Sequence, residues 1–249
     1  MNRTPEMITK GMLLAAGLGT RLRPLTDAVP KPMLRVGNRP LIDFALNTLA
    51  RGGVKDVMIN LHHLSEQIRT HVGDGNRYGL HISYSFEPTI LGTGGGMKRC
   101  ETFFGDAPFI LMNADTLIAI DLSHVIAQFC AKGGDGLMVV RRLAPAETYK
   151  PVSISADGWL TGIGAGEHFY AGAQVCTKRL LDTLPEARPS CLIKDGLQPI
   201  LAAGGRIGTF LHIGHWNDVG TPERYELAKR QDWLSNFVDS DRTPKVTDG

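Results

Sequence analysis

The sequence has few aromatic residues, few cysteines, no long apolar run and almost no excess charge of either sign. Its 249 residues are 7% aromatic, and 27 Lys and Arg face 25 Asp and Glu, a formal net charge of +2. This small excess predicts neither a nucleic-acid partner nor a membrane partner. The longest apolar runs, such as 12–16 and 109–112, are far shorter than the roughly 20 residues that a transmembrane helix needs.

The cysteines are too widely spaced for a zinc site or a disulfide framework. They are Cys100, Cys130, Cys176 and Cys191, and no Cys-x-x-Cys pair occurs. This spacing favours reduced, mostly buried thiols. The N-terminal residues lack the long apolar stretch of a signal peptide. Together these features predict a soluble protein of the cytoplasm.

Glycine, in contrast, is abundant, and short apolar runs alternate with segments of helical spacing. Strands are predicted over 12–16, 57–61, 81–86, 109–112 and 137–140, with helices over 40–51, 65–72, 97–104 and 122–131. This alternation is typical of an α/β fold with a mainly parallel, mixed central sheet flanked by helices.

The second half is less regular. Asp157-Gly158 predicts a hairpin between strands 152–155 and 160–163. A helix over 191–203, a strand over 207–213 and a closing helix over 222–237 follow. Because no composition break or linker occurs, we expect one domain over 7–237 and a polar C-terminal tail over 238–249.

A glycine-rich loop follows the first predicted strand. Gly17 and Gly19 would let the backbone approach a ligand closely with its N–H groups exposed, and Thr20 and Arg21 add a hydroxyl and a cation suited to phosphate. Glycines that serve only the turn geometry are the alternative. The loop is not a dinucleotide fingerprint, because Leu22 occupies the third glycine position, and no Gly-Lys dipeptide is present for a Walker loop.

An ordered set of motifs then extends along almost the whole chain. It comprises 14–22, Pro30-Lys31-Pro32-Met33, 91–95, Asn113-Ala114-Asp115, Tyr170-Ala171-Gly172, Lys194-Asp195 and 216–222. This set resembles the sugar-1-phosphate nucleotidylyltransferases, also called nucleoside-diphosphate-sugar pyrophosphorylases. The chain is similar to their short, Rossmann-like members, including N-acetylmuramate-1-phosphate uridylyltransferase and mannose-1-phosphate guanylyltransferase.

The resemblance implies that a sugar-1-phosphate attacks the α-phosphorus of a nucleoside triphosphate and releases pyrophosphate. Because both reactants are polyanions, such a site needs positive charge. The family implies that Arg21 stabilises the leaving pyrophosphate and that Lys31 lies near the α-phosphate. It also implies Mg²⁺ held by Asp115 and Asp218; alone, either carboxylate could be a turn residue. No serine or cysteine with a nearby base indicates a covalent intermediate, which favours direct displacement.

The resemblance also implies the residues that contact the two substrates. The expected nucleotide-binding residues are Leu14, Ala16, Gly17, Gly19, Thr20, Glu87, Gly92 and Thr93. Glu87 would accept hydrogen bonds from a guanine, uracil or thymine edge, so UTP or GTP is favoured; a surface glutamate is the alternative.

The expected sugar-phosphate residues are Asn113, Glu167, Gly172 and Lys194. Two departures from the family pattern concern this part of the site. Tyr170 replaces the common asparagine, and the usual Glu-Lys-Pro stretch is represented only by Tyr149-Lys150-Pro151.

Two further functions are compatible with the same sequence. The chain could be a cytidylyltransferase acting on a non-sugar phosphate such as phosphocholine, or a catalytically silent regulator that binds a nucleotide sugar. The presence of Arg21, Lys31, Asp115 and Asp218 disfavours the silent regulator. The expected partners are a nucleoside triphosphate and a sugar-1-phosphate, without nucleic acid or membrane, and no exposed apolar seam indicates an oligomer.

Overall fold

The structure, a computed structural model, describes residues 8–145, 147–186 and 188–231. The strands are β1 (Lys10–Leu14), β2 (Arg35–Val36), β3 (Arg39–Pro40), β4 (Asp56–Leu61), β5 (His81–Phe86), β6 (Phe109–Asn113), β7 (Leu117–Ile118), β8 (Gly136–Arg142), β9 (Pro151–Ile154), β10 (Leu160–Ile163), β11 (His168–Cys176), β12 (Ile207–Leu211) and β13 (Trp216–Asn217). The helices are α1 (Leu25–Ala28), α2 (Leu41–Arg51), α3 (Ser65–Val72), α4 (Gly92–Arg99), α5 (Glu101–Phe104), α6 (Leu122–Lys132), α7 (Lys178–Thr183), α8 (Gln198–Ala202) and α9 (Pro222–Arg230), with a π-helix over Leu192–Leu197.

The largest sheet places β1 between β4 and β6, and these three strands run parallel. The strand order is β10-β9-β11-β6-β1-β4-β5, with β8 beside β11 and β12 beside β8. Strand β5 continues the parallel half next to β4, whereas β11 runs antiparallel to β6. The predicted α/β fold with a mixed central sheet is confirmed.

The strand register brings three loop regions to one edge of the sheet. Leu14, the last residue of β1, is level with Asn60 of β4 and Asn113 of β6. Ligands of open α/β sheets bind outside the carboxyl ends of the strands. The glycine-rich loop therefore leaves β1 at the edge where such a site is expected.

Side chains alternate between the two faces of the sheet and form a core on each face. On one face, Leu13 and Met112 pack with apolar residues of α2, α3 and α6. On the other face, Met12 and Leu111 pack with apolar residues of α4, α7 and the π-helix. Helices therefore cover both faces, as the alternating pattern predicted.

A third apolar cluster connects the glycine-rich loop to the C-terminal helix. Leu22, just after the loop, packs in one cluster with Leu117 of β7, Val219 and Tyr225 of α9. Full burial of a leucine side chain is worth about 1.5–3 kcal/mol. This cluster fixes the loop relative to the turn around residue 218.

The main error of the strand prediction is β11, the longest strand, which the pattern did not indicate. Its centre reads Ala171-Gly172-Ala173, and these small residues lack the β-branched or aromatic side chains that are enriched in strands. Packing on both sides, against β6 and β8, forms the strand instead.

Two helix boundaries also differ from the prediction. Helix α4 begins at Gly92 rather than at residue 97, because glycine is a poor helix former and gave no helical signal. The segment 191–203 is helical, but it begins as a π-helix. Helix α9 ends at Arg230, because the next residue, Gln231, has an extended backbone; the remaining predicted helical residues 232–237 and the tail 238–249 lie outside the described residues.

The cysteines and the helix lengths bear on two predictions made from composition. All four cysteines are free, with Cys100 and Cys176 buried and Cys130 and Cys191 exposed, so half of the thiols rather than most are buried. Over the described ranges, no helix has the length and apolar character needed to cross a bilayer.

Leu22→Ala should lower the free energy of unfolding by about 2–5 kcal/mol, because the side chain is 1% exposed and its truncation leaves a cavity. Equilibrium urea denaturation measures this loss. Leu18→Ala is the matched control in the same loop; its side chain is 36% exposed, and the change should stay below about 0.5 kcal/mol. Equal losses from both variants would contradict the anchoring role of Leu22.

Candidate active site

Lys31 joins the two aspartates that the sequence suggested as metal ligands. Its Nζ donates to Asp115 Oδ2 at 2.6 Å and to the backbone carbonyl of Asp218 at 3.3 Å. Lys31 is 8% exposed, so its ammonium is largely shielded from solvent. Asp115 follows β6 and Asp218 follows β13, so these aspartates meet only through the fold. Asp115, through its carboxylate, and Asp218, through its backbone carbonyl, therefore lie around one ammonium group.

Arg21 borders the same group of charges. Its Nη2 lies 3.4 Å from the position that a Cβ on Gly220 would take, and Asp218 Oδ2 lies 2.8 Å from that position. Arg21 is exposed, whereas Lys31 is buried. The structure therefore brings both predicted catalytic cations and both predicted metal ligands into one cluster.

Arg224 is a further cation of this cluster that the sequence analysis missed. Its Nη1 donates to Asp218 Oδ1 at 2.8 Å and also to the hydroxyl of Tyr149. Its guanidinium carbon lies 4.6 Å from the centre of the Tyr149 ring. Charge-assisted hydrogen bonds of this kind are stronger and more directional than neutral ones. Arg224 therefore fixes the orientation of the Asp218 carboxylate.

Tyr149 belongs to an aromatic cluster beneath Arg224. Its ring stacks on Phe169 with centroids 4.3 Å apart and meets Trp216 edge-on at 5.4 Å. Burial, followed by the nearby negative charge of Asp218, raises the pKa of the Tyr149 hydroxyl well above its usual range, so the phenol stays neutral. The sequence pattern offered Tyr149 as the counterpart of a sugar-binding stretch; in the structure it supports Arg224.

The turn that carries Asp218 has a strained backbone. Val219 is fully buried and has a φ of 42°, in the left-handed region that β-branched residues rarely adopt. Asn217 holds the turn: its Oδ1 accepts from Val219 N at 2.7 Å, and its Nδ2 donates to the Arg224 carbonyl at 3.0 Å. Such conformations cost about 1–3 kcal/mol and are concentrated at functional sites.

The two glycines of the loop after β1 are required for different reasons. Gly19 has a φ of 64°, and a Cβ there would lie 2.9 Å from Thr26 Cγ2 and 3.2 Å from Lys31 Cβ. Backbone conformation and packing both demand glycine at that position. Gly17 is exposed, and a Cβ there would meet none of the described atoms within 4 Å. Close approach by a bound molecule remains as a reason for glycine at position 17.

The other predicted nucleotide-binding residues surround this loop. Leu14 ends β1, Ala16 follows it closely, and Thr20 is exposed beside Arg21. Gly92 and Thr93 begin α4 and are also exposed. Gly92 and Thr93 form one wall of the candidate site. They follow β5, and β4 separates β5 from β1 in the sheet.

Gly92 and Thr93 also contact the segment that precedes the π-helix. A Cβ on Gly92 would lie 2.6 Å from the Ser190 carbonyl oxygen, so only glycine fits there. Thr93 Oγ1 accepts a hydrogen bond from Leu192 N at 3.0 Å. The start of α4 is thereby attached to the segment that carries Lys194.

Glu87 lacks the accessible carboxylate that contact with a nucleobase requires. Its side chain is 0% exposed. Oε1 accepts from Asn60 Nδ2 at 2.8 Å, and Oε2 accepts from Leu91 N at 2.9 Å. This geometry corrects the prediction that Glu87 contacts the base, because both oxygens are bonded inside the protein. Burial equally excludes the alternative of a surface glutamate.

The predicted sugar-phosphate residues fall into two groups. Asn113 and Gly172 lie together: Gly172 has a φ of 90°, and a Cβ there would be 3.1 Å from Asn113 Nδ2. Glu167 and Lys194 are exposed. Within the part of the chain that the structure describes, no hydrogen bond or ion pair connects either of these side chains to Lys31 or Asp115.

Asp115 and Asp218 form a suitable donor pair for a hard divalent cation. Magnesium is commonly bound by one or two carboxylates together with substrate phosphates. Both aspartate side chains are partly exposed. The described residues contain no group of three or more His, Cys, Asp and Glu side chains that could hold a metal alone. These two residues fit a cation that is shared with a phosphorylated substrate.

Asn60 and Arg224 are the residues of this region that the sequence analysis missed, and it did not indicate that Tyr149 supports Arg224. Asn60 carried a usable signal, because a polar residue near the end of a buried parallel strand is a candidate site residue. Arg224 lies in the first turn of α9, where an arginine is an ordinary surface residue, and no spacing marked it.

Known proteins resemble this chain over most of its length. The family described as "Nucleotidyl transferase" matches residues 10–233. Mannose-1-phosphate guanyltransferase of Saccharomyces cerevisiae is 30% identical over 242 residues, which cover 89% of this chain and 66% of the yeast protein. N-acetylmuramate alpha-1-phosphate uridylyltransferase of Neisseria meningitidis serogroup B is 44% identical over 115 residues, which cover 46% of this chain and 50% of that protein.

The aligned part spans half to two thirds of the length of these two relatives. The crystal structure of HddC from Yersinia pseudotuberculosis complexed with GMP-PN has a TM-score of 0.76 at 23% identity, covering 89% of this chain and 98% of that chain. HddC therefore shares the fold. Because the family match extends from β1 to beyond α9, the chain belongs to the nucleotidyl transferase family.

Proposed function

We propose that the chain transfers a nucleotidyl group from a nucleoside triphosphate to a sugar-1-phosphate and releases pyrophosphate. The observation that carries this proposal is the Lys31 ammonium bound to Asp115 and Asp218, beside a loop in which Gly17 has open space. The relatives named above support the reaction class, since one is named for transfer to mannose-1-phosphate and the other for transfer to N-acetylmuramate 1-phosphate.

The proposed chemistry requires like charges to be brought together. A triphosphate and a sugar phosphate repel each other, and negative charge accumulates on the phosphate oxygens in the transition state. Lys31 is already oriented by Asp115, so its ammonium can stabilise this charge with little reorganisation. Exposed Arg21 is free to move onto the leaving pyrophosphate. In this proposal the sugar phosphate attacks the α-phosphorus directly.

Asp115 and Asp218 would hold the magnesium ion that this reaction uses. When bound, the ion would neutralise phosphate charge and orient the α-phosphate for attack. Arg224, supported by Tyr149, keeps the Asp218 carboxylate in place before the substrates arrive. Ordering these side chains therefore costs little free energy when the triphosphate binds.

For the nucleotide donor we propose UTP or GTP. With Glu87 buried, this choice rests on the names of the relatives, a uridylyltransferase and a guanyltransferase. In this proposal the backbone of Gly92 and Thr93, which are exposed at the start of α4, contacts the base. The sugar phosphate would lie near Asn113 and Gly172, with Glu167 and Lys194 as further candidates from the flanking segments.

The two alternatives fit the site less well. A phosphocholine cytidylyltransferase is disfavoured, because the relatives named above act, by their names, on sugar phosphates. A silent regulator would not need Arg21, Lys31, Asp115 and Asp218 in one cluster. We further propose a cytoplasmic enzyme with no nucleic-acid or membrane partner, in agreement with the near-zero net charge.

Pyrophosphate release should occur with UTP or GTP and at least one sugar-1-phosphate, should stop on chelation with EDTA and should return with excess Mg²⁺. Asp115→Asn should reduce the rate by at least about 10²–10³, because one charged group of the site is lost. A coupled pyrophosphate assay across UTP, GTP, dTTP and CTP measures both effects.

The matched control for this substitution is Asp106→Asn, which removes an exposed carboxylate in the loop before β6. It should keep the parent rate. Turnover with phosphocholine alone, or full activity of Asp115→Asn, would contradict the proposal. Failure to release pyrophosphate with every acceptor tried would favour the silent regulator.

Gly17→Ala should raise the KM for the nucleotide by at least about tenfold, a cost of about 1.4 kcal/mol, because the new methyl group occupies the space left for the triphosphate. Its free energy of unfolding should change by less than about 1 kcal/mol, since the methyl meets no neighbour. Gly19→Ala should instead destabilise the fold by about 1–3 kcal/mol, because φ is positive there. Steady-state kinetics with thermal unfolding separates the two. If Gly17→Ala keeps the parental KM, Gly17 is not part of the nucleotide site.

A further inference from the structure

We infer that Asn60 and Glu87 form a buried positioning pair that sets the spacing between the two walls of the nucleotide site. This inference rests on the proposed function, because it concerns the loops assigned to the nucleotide. One wall is the glycine-rich loop that begins at Ala15. The other is the start of α4, which begins after Leu91.

The pair forms a continuous chain of hydrogen bonds from one wall to the other. Ala15 N donates to Asn60 Oδ1 at 2.9 Å. Asn60 Nδ2 donates to Glu87 Oε1 at 2.8 Å. Leu91 N donates to Glu87 Oε2 at 2.9 Å. Each side chain therefore uses one atom for a loop and one atom for its partner.

Burial makes this chain of bonds rigid. Asn60 is 3% exposed and Glu87 is 0% exposed, so water cannot replace a lost partner without a rearrangement. His62 Nδ1 also lies 2.7 Å from the Glu87 carbonyl oxygen and holds its backbone. None of the ion pairs found over 8–145, 147–186 and 188–231 includes Glu87. Its buried carboxylate is stabilised by hydrogen bonds, an arrangement that is costly to disturb.

The glycines of α4 leave room for the pair. A Cβ on Gly96 would lie 2.5 Å from Glu87 Oε1 and 2.7 Å from Asn60 Nδ2, closer than a Cβ atom approaches its neighbours, so one of the two side chains would have to shift. Gly94 and Gly95 are likewise in close contact with the 188–191 segment. Helix α4 accepts three poor helix formers in succession, and at Gly96 the reason is space for these two side chains.

The expected consequence is an effect on nucleotide binding more than on the chemical step. A loosened pair would let the two walls move apart, so the nucleotide would have to order both of them on binding, which lowers affinity. Lys31, Asp115 and Asp218 make no hydrogen bond to Asn60 or Glu87 in the described structure. The rate constant kcat should therefore change less than KM.

The pair allows an exchange experiment. In Glu87→Gln the new amide offers only one acceptor oxygen to the two donors, Asn60 Nδ2 and Leu91 N, so one of these donors loses its hydrogen bond. In Asn60→Asp two carboxylates face each other. The double variant Asn60→Asp/Glu87→Gln restores all three bonds. The carboxylate introduced at position 60 can accept from Ala15 N and from the amide introduced at position 87, and the oxygen of that amide accepts from Leu91 N.

We expect each single variant to raise the KM and the Kd for the nucleotide by at least about tenfold, while kcat stays within about threefold of the parental value. In the double variant, KM and Kd should both return to within about threefold of the parental values. Kinetics give KM and kcat, and calorimetric titration with UTP and with GTP in the presence of Mg²⁺ gives Kd. Thermal unfolding of all four proteins reports on folding.

The proposal is overturned if folded single variants keep the parental Kd, or if the double variant is as impaired as the worse single one. Should a single variant fail to fold, a double variant that folds and binds supports the pair, and one that does not contradicts it. If the unsubstituted protein binds UTP or GTP but releases no pyrophosphate with any sugar phosphate, only the proposed function is contradicted. The role of the Asn60–Glu87 pair is then tested by the Kd values of the four proteins alone.

Discussion

The site depends on a lysine ammonium held between two aspartates that lie far apart in the chain. Without Lys31, the partly buried Asp115 carboxylate would lose its hydrogen bond and the Asp218 backbone its contact. Because charge-assisted hydrogen bonds are short and directional, Lys31 fixes the orientation of the Asp115 carboxylate. Arg224 does the same for Asp218. Lys31 and Arg224, two cations from different segments, thus orient the two proposed metal ligands.

The sheet explains why this arrangement lies beside the glycine-rich loop. Strand β1 is flanked by β4 and β6, so the loop, Asn60 and Asn113 leave the sheet at one edge. The apolar cluster around Leu22 and Val219 then attaches the loop to the strained turn that carries Asp218. Burial of apolar side chains thereby fixes the relative positions of charged groups.

The sheet and most of the residues of the candidate site could be predicted from the sequence. The features that could not be predicted depend on contacts between distant segments. Asp115 directly follows a buried strand, so its place at the sheet edge could be derived from periodicity. Asp218 could be paired with it only through family resemblance. Glu87 was predicted to be accessible, because its burial depends on Asn60 and Gly96, which no local pattern relates to it. Likewise the centre of β11, Ala171-Gly172-Ala173, has no local strand signal, and it is a strand because it packs between β6 and β8.

In the proposed complex, Asp115, Asp218 and Lys31 hold one cation and one triphosphate together. Crystals grown with Mn²⁺, which prefers the same oxygen ligands as Mg²⁺, and a non-hydrolysable UTP or GTP analogue test it most directly. We expect an anomalous manganese peak about 2.1 Å from carboxylate oxygens of both aspartates, with the triphosphate along the loop at Gly17. A peak bound elsewhere, or a triphosphate that does not touch this loop, would contradict it.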